Sequence, residues 1–341
     1  MTEPHAFRKT DPTLILTVER RTEERDGMAG DGIVLRLGTR GSPLALAQAR
    51  ETQARLAAAH GWSEDRVEIV VIRTSGDAIQ DRALAEAGGK GLFTKEIDAA
   101  LLEGHIDLAV HSAKDLPAML PDGIVLAGYL PREDVRDAFV SGDGAKLADL
   151  PLGAVVGSAS VRRQAQLRRL RPDLDVRLLR GNVETRLRKV DGGEFHATIL
   201  AVAGLNRLGL AHRITERLNL GDFLPAVGQG AIAIAARVAD RATADALAAI
   251  LDRDTGLAVG CERAFLAVLD GSCRTPIAGH ARLDGPHVAF RGLLLATDGS
   301  DSVETLAAGP VDLAEALGRD AGLDLLARAP YHLTLPFLAA S

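Results

Sequence analysis

The sequence predicts an α/β protein made of two consecutive α/β units and a smaller α+β domain at the C-terminal side. Three observations carry this. Short apolar runs alternate with helical stretches from about residue 33 to residue 202, the pattern of parallel strands joined by helices. A proline- and glycine-containing stretch, Pro131–Gly153, interrupts the alternation once. From about Leu251 the pattern changes to helix, turn-rich loop, apolar runs and helix. A length of 341 residues suits two or three domains, each able to bury a core.

In order, residues 1–31 are polar, charged and turn-rich, and read as a disordered tail. Ile33–Leu37 is a short apolar strand, and Ser42-Pro43 supplies an N-cap and a first-turn proline for a helix to about Ala59. Strands follow at Val67–Arg73, Ile106–Val110 and Ile124–Leu130, with a helix at Thr94–Glu103. The second unit reads as strand Ala154–Val156, helix Ser160–Arg171, strand Val176–Leu179, helix Val183–Val190 and strand Thr198–Val202. Ala231–Ala235 is one more apolar strand that can complete either sheet. Joined to the first, it makes that domain discontinuous. The third region reads as helix Leu257–Leu269, a loop around Cys273, strands Val288–Phe290 and Leu293–Ala296, and helix Val311–Ala327. The expected domains are therefore 32–130 with 230–248, then 135–225, then 250–341.

Composition narrows the function classes. Aromatics make up 3%, so the cores must be aliphatic, and recognition of single-stranded nucleic acid by base stacking is disfavoured. The net charge is −6, yet Arg162–Arg188 contains nine arginines against three acids. A basic segment in an acidic protein points to a localised anionic ligand; a solvated helix face is the competing reading. Two cysteines, Cys261 and Cys273, make no disulfide framework, and the nine histidines show no metal-ligand spacing. No apolar run approaches the ~18 residues of a membrane span. Leu14–Val18 is too short for the core of an export signal. A cytoplasmic protein with no nucleic-acid or membrane partner is the expectation.

Open α/β sheets bind ligands beyond the carboxyl ends of their strands. Three polar clusters fall there: Thr39-Arg40-Gly41-Ser42, Ser158-Ala159-Ser160-Val161-Arg162-Arg163, and Arg180-Gly181-Asn182. Each sets backbone N–H groups at a helix start beside an arginine, which suits a carboxylate or phosphate, although glycine and serine also simply make turns. His111-Ser112-Ala113-Lys114-Asp115 follows the third strand. There Asp115 is either a surface partner of Lys114 or an acid in a basic cleft, able to stabilise a cationic intermediate. Cys261 sits on a helix and reads as a small hydrophobe. Cys273 lies in Gly271-Ser272-Cys273-Arg274-Thr275-Pro276, where the adjacent cation favours thiolate; an ordinary loop cysteine is the alternative.

Together these segments resemble the porphobilinogen deaminases (hydroxymethylbilane synthases). The resemblance is carried by Gly38-Thr39-Arg40-Gly41-Ser42-Pro43-Leu44-Ala45-Leu46, Gly88-Gly89-Lys90-Gly91-Leu92-Phe93 and His111-Ser112-Ala113-Lys114-Asp115-Leu116-Pro117. It continues through Leu179-Arg180-Gly181-Asn182-Val183, Thr185-Arg186-Leu187, Leu200–Leu205, Leu224–Gly230 and the Gly271–Pro276 loop.

The resemblance implies two periplasmic-binding-protein-like domains around a cleft, and a third domain carrying a dipyrromethane cofactor in thioether linkage to Cys273. It implies stepwise head-to-tail condensation of four porphobilinogen molecules, with loss of ammonia and hydrolytic release of a linear tetrapyrrole. Each pyrrole brings two carboxylates, which suits guanidinium forks. By motif, Lys114, Ser158, Ser160, Arg162, Arg163 and Arg186 would bind the cofactor. Arg40, Ser42, Lys90 and Arg180 would bind substrate, Gln229 would line the cleft, and Asp115 would stabilise the cation and assist proton transfer. No metal or nucleotide is implied, and a monomer is expected.

Ala159, Glu86 and Ser272 depart from the family's usual residues, and the tail before Ile33 has no counterpart. A non-catalytic binding protein for small anions would use the same arginines but need neither Cys273 nor Asp115. A nucleic-acid-binding regulator fits less well, since no recognition-helix or stacking pattern accompanies the arginines.

Overall fold

The computed structural model describes residues 32–78, 94–269 and 275–338. Lys90, Glu86, Ser272, Cys273 and the tail 1–31 lie outside the described residues.

The first sheet is built from β1 (Leu35–Thr39), β2 (Val67–Val71), β3 (Leu108–Ser112), β4 (Ile124–Tyr129) and β10 (Ile232–Arg237), in the order β2-β1-β3-β10-β4. The second contains β5 (Asp137–Ser141), β6 (Val155–Gly157), β7 (Asp175–Arg177), β8 (Ala197–Ala201) and β9 (Glu216–Arg217), in the order β7-β6-β8-β5-β9. The two orders are equivalent. In each, three parallel strands are followed by an antiparallel one: β5 precedes the rest of its own sheet in the chain, whereas β10 returns to the first sheet after the whole of the second. Two segments therefore cross between the sheets, β4 to β5 and β9 to β10. That is the two-lobed periplasmic-binding-protein topology expected above.

Helices cover both faces of each of these mixed sheets, as their buried parallel strands require. On the first, α1 (Pro43–His60) and α7 (Arg241–Ala248) bury Leu56 and Leu247 against Leu35, Leu37, Ile232 and Ile234. After the short α2 (Ser75–Ala78), α3 (Lys95–Leu102) buries Ile97 and Leu101 on the opposite face, against Ile106 and Ala109. On the second sheet, α4 (Val161–Leu170) packs Leu167 with Phe139 and Ile199. The other face carries α5 (Val183–Asp191) and α6 (Val202–Arg207), with Leu187 and Leu205 against Val140.

The remainder forms a three-stranded antiparallel sheet, β11 (Ile277–Asp284), β12 (His287–Leu295) and β13 (Ser302–Pro310), against α8 (Arg253–Val268) and α9 (Ala314–Arg328), with α10 (Tyr331–Leu338) last. Among the described residues, no helix is long and apolar enough to cross a membrane.

Strands expected in the first two units lie within two residues of their observed bounds. Three readings need correction. The Pro131–Gly153 separator contains β5, whose DAFVS run is fully buried despite its leading aspartate. Val288–Phe290 and Leu293–Ala296 are one strand, β12. Gly292, between the two runs, makes room for an aromatic ring: a Cβ there would stand 2.7 Å from the Phe265 ring. The flanking strands β11 and β13 were not anticipated. Both are sheet edges, and their polar, glycine-bearing sequences carry little alternation.

Candidate active site

Each sheet presents its polar clusters just past the carboxyl ends of its parallel strands. Ser42 follows β1 in extended conformation, and its Oγ accepts the Ala45 N–H at 3.3 Å, capping α1 ahead of Pro43. Ser160 caps α4 in the same way through the Arg163 N–H at 3.4 Å, while Ser158 Oγ accepts the Ser160 N–H at 3.2 Å. Asn182 caps α5 through the Thr185 N–H at 2.9 Å. Ser42, Ser158 and Ser160 thus all have a structural task in setting helix starts. On β3, Gln48 and Ser112 exchange hydrogen bonds at 2.9 and 3.2 Å, tying the strand end to α1. Lys114 and Asp115 lie in the short 3-10 turn beyond it.

The second sheet contributes a buried charge cluster centred on Asp137, at the start of β5. Its carboxylate is 0% exposed. It accepts from Arg162 Nη2 at 2.8 Å and from Arg163 Nη2 and Nε at 2.6 and 3.0 Å. Gln229 Nε2 adds a fourth bond at 3.0 Å. Burial alone would raise this carboxyl; Arg162, Arg163 and the Gln229 bond outweigh it and hold it at about 2. Gln229 then turns its Oε1 to Lys114 Nζ at 3.4 Å, so the chain of contacts runs from one sheet to the other.

Beyond this cluster the site is short of negative charge. Burial, aided by Arg163 and partly offset by Asp115 and Asp137, brings Lys114 down to about 8. Burial with Arg163 and Arg180 nearby brings Arg186 down to about 10, again opposed by Asp115. Asp115 is exposed, and it lies within electrostatic reach of Lys114 on its own turn and of Arg186 across on α5. Among the described residues Arg180 Nη1 is buried without a hydrogen-bond partner, and Arg186 donates its Nε to Gly181 O at 2.8 Å. Arg40 is half-buried near His111, which burial and that arginine lower to about 4. A patch with unspent guanidinium donors and depressed cationic groups fits a ligand bearing several carboxylates, because such a ligand supplies both the acceptors and the missing charge.

The sequence-based candidates therefore separate. Asp115, Lys114, Arg180 and Arg186 are brought within electrostatic reach of one another, while Ser158 and Ser160 set the start of α4. Gln229 is corrected: it is 0% exposed and both ends of its amide are used inside the protein, so it is part of the wall's interior. Arg162 and Arg163 are also interior, 4% and 5% exposed. Arg162 Nη1 serves Leu224 O at 2.6 Å and Arg163 Nη1 serves Ile199 O at 3.1 Å. Carboxylate forks they are, but for Asp137. That residue was missed, although a lone acid heading an apolar run was a usable signal. Cys261 is fully buried, and its thiol is pushed up to about 12 by burial and Glu262.

Two family models match the chain: porphobilinogen deaminase, dipyromethane cofactor binding domain, over residues 35–245, and porphobilinogen deaminase, C-terminal domain, over residues 257–327. The chain is 59% identical over 297 residues to the porphobilinogen deaminase of Nitrobacter hamburgensis, covering 87% of this chain and 94% of that protein. It is 58% identical over 297 residues to that of Nitrobacter winogradskyi, with the same coverage. Among solved structures, the periplasmic aliphatic sulphonate binding protein SsuA from Escherichia coli is 17% identical, aligning 68% of this chain with 69% of that one at a TM-score of 0.38.

Proposed function

This chain belongs to the porphobilinogen deaminase family, and from that premise we propose how its residues carry the family's reaction. The enzyme is a transferase of tetrapyrrole biosynthesis: it condenses four porphobilinogen molecules head to tail and releases hydroxymethylbilane. Each addition breaks an aminomethyl C–N bond with loss of ammonia, forms a C–C bond, and returns one pyrrole α-proton. The family's dipyrromethane, when bound, supplies an electron-rich pyrrole as the first acceptor.

In our reading Asp115 is the catalytic carboxylate. Departure of ammonia leaves a pyrrole cation in a site already crowded with Lys114, Arg180 and Arg186, and Asp115 is the anion placed to stabilise it. The same carboxylate holds the proton that passes to the leaving amine and takes up the one lost from the α-carbon. Arg180 and Arg186 bind substrate and cofactor carboxylates, with Lys114, Arg40, Lys90 and the hydroxyls of Ser42, Ser158 and Ser160 adding charge or hydrogen bonds. Arg162 and Arg163 act from beneath, with Asp137 fixing their planes.

The observation that carries the reading is the position of Asp115 opposite Arg186 and beside Lys114. Cys273 is proposed as the thioether site, with the unreactive setting of Cys261 as support. We extend the reading to a cytoplasmic location, since a buried free thiol and a thiol awaiting alkylation both suit a reducing compartment, and we carry the monomer forward as part of the proposal. The domain partition 32–130 with 230–248, 135–225 and 250–341 is part of the proposal, supported by β10 completing the first sheet. Intact-mass analysis of purified protein, followed by peptide mapping, is the test. A dipyrromethane adduct on the Cys273 peptide is expected, and active protein without any adduct would overturn the mechanism.

A further inference from the structure

We propose that Arg263 is a positioning residue for Asp115, so that helix α8 sets the catalytic turn from the C-terminal side; this rests on the catalytic assignment of Asp115 above. Arg263 Nη2 donates to Pro117 O at 2.9 Å and to Ala118 O at 2.8 Å, the two carbonyls that follow the Ala113–Asp115 turn. Those partners are 146 and 145 residues away in the chain. One helical turn earlier, Val259 is fully buried in a cluster with Ala113 and Leu116, the residues flanking Lys114 and Asp115. The neighbouring Glu262 accepts the Gly228 N–H at 2.7 Å. Gly228, at φ +73°, lies against the same turn: a Cβ there would stand 3.0 Å from Ala113 Cβ and 3.2 Å from the Lys114 nitrogen. Two contacts from α8, through Val259 and Arg263, thus grip one short segment of backbone, and a third, through Glu262, holds the Gly228 that lies against it.

The grip matters because the turn holds itself weakly. Its internal bond, Leu116 N–H to Ala113 O, is 3.3 Å, just beyond the usual range. Asp115 itself is exposed, so its aim depends on the backbone below it. An error of 1 Å in a reacting group can cost about 100-fold in rate. A guanidinium bridging two successive carbonyls fixes the exit of the turn, and Val259 with Gly228 fixes its base.

The test compares Arg263→Met with Leu266→Ala, which removes packing from the C-terminal core away from the turn, and with Asp115→Asn. Turnover is expressed per cofactor-bearing molecule, counted by intact mass. Arg263→Met is expected to lower kcat tenfold or more with KM within about twofold, whereas Leu266→Ala lowers Tm but leaves kcat within about twofold. Amide exchange at Leu116, measured without substrate, should quicken at least tenfold in Arg263→Met while β3 amides stay protected. In the double variant, Arg263→Met should add little to the loss in Asp115→Asn, since it acts through that residue. Arg263→Lys, which keeps the charge and can reach one carbonyl, should recover part of kcat, and it carries the same comparison if the methionine variant does not fold. Normal kcat and normal Leu116 exchange in the Arg263 variants, with Asp115→Asn inactive, would overturn this proposal alone. Normal turnover in Asp115→Asn would overturn the catalytic assignment and this proposal with it.

Discussion

Gln229 joins Asp137 to Lys114: its amide nitrogen donates to the carboxylate at 3.0 Å and its amide oxygen receives the ammonium at 3.4 Å. The side chain is 0% exposed, so neither partner can take water in its place without rearrangement. Gln229→Leu keeps the volume and removes both links. We expect a loss of about 1–3 kcal/mol in stability, the usual cost of buried polar groups left unpaired, measured by urea denaturation. An unchanged midpoint would show that the two sheets are not tied through this amide.

Removing the charge of Asp115 while keeping its shape isolates electrostatics from packing. Asp115→Asn should retain fold and cofactor yet lose about 100–1,000-fold in turnover, the scale for one well-placed electrostatic stabiliser. Asp115→Glu should keep part of the rate and hold partly elongated complexes longer, as seen by native mass spectrometry. Turnover of Asp115→Asn within a few-fold of wild type would withdraw the assignment.

Lys114, lowered to about 8, carries its charge below that pH and loses it above. In Cys273→Ser protein, taken without cofactor, calorimetric affinity for porphobilinogen should fall as pH rises through about 8, and Lys114→Met should abolish that fall. The stability sign is separate. Between about 8 and the ordinary 10.5 the unfolded chain holds the extra proton, so this lysine makes stability rise with pH across that window. At neutral pH its burial cost is fully present until an anion binds, and binding must then raise its pKa.

His111 should govern mild-acid stability. Its imidazole sits at about 4 in the fold against 6.5 when free. The unfolded chain therefore binds one more proton between those values, and stability is lost as pH falls from 6.5 to 4, by up to about 1.4 kcal/mol per pH unit. Asp137, at about 2 against 3.8, extends the loss below pH 3.8. Chemical denaturation of His111→Gln at a series of pH values should show the slope above pH 4 flattened. An unchanged slope would place the acid sensitivity elsewhere.

The two thiols should behave oppositely. Cys273→Ser should fold, carry no covalent pyrrole and turn over almost nothing, because oxygen is a poor substitute for thiolate at this carbon. Cys261→Ala should keep cofactor and activity, with a stability cost of about 1 kcal/mol for the methyl-sized void. Normal turnover by Cys273→Ser would move the attachment point.

What could be read without coordinates was whatever is local. Ser42-Pro43, Ser160 and Asn182 announce helix starts within a few residues, and the β3 turn carries its ionisable groups side by side. The Asp137 cluster was hidden because its bonds span 25, 26 and 92 residues, and a charge inside an apolar run gives no hint of which partners neutralise it. The chemistry of arginine points to carboxylates, and the carboxylate that Arg162 and Arg163 meet is that of Asp137. Which carboxylate each one meets depends on depth in the wall, and Arg162 and Arg163 sit too deep to face outward. The edges β11 and β13 escaped because the small and polar residues in IAGHARLD and SVETLAAGP blur the alternation that a half-buried strand usually shows.

The late return of β10 to the first sheet also sets a timetable for synthesis. β10 is inserted between β3 and β4, so the first sheet stays unfinished until residue 237 has left the ribosome. At about 5–20 residues per second, roughly 100 residues of intervening chain impose a wait of about 5–20 s. Meanwhile the second sheet can close on its own, since all five of its strands lie between residues 137 and 217. The half of the protein that carries Asp115 is made first and finished last, with the β3 and β4 edges unpaired throughout the delay. A nascent chain halted before Ile232 should therefore engage chaperones through residues 108–129, and one released after Arg237 should not.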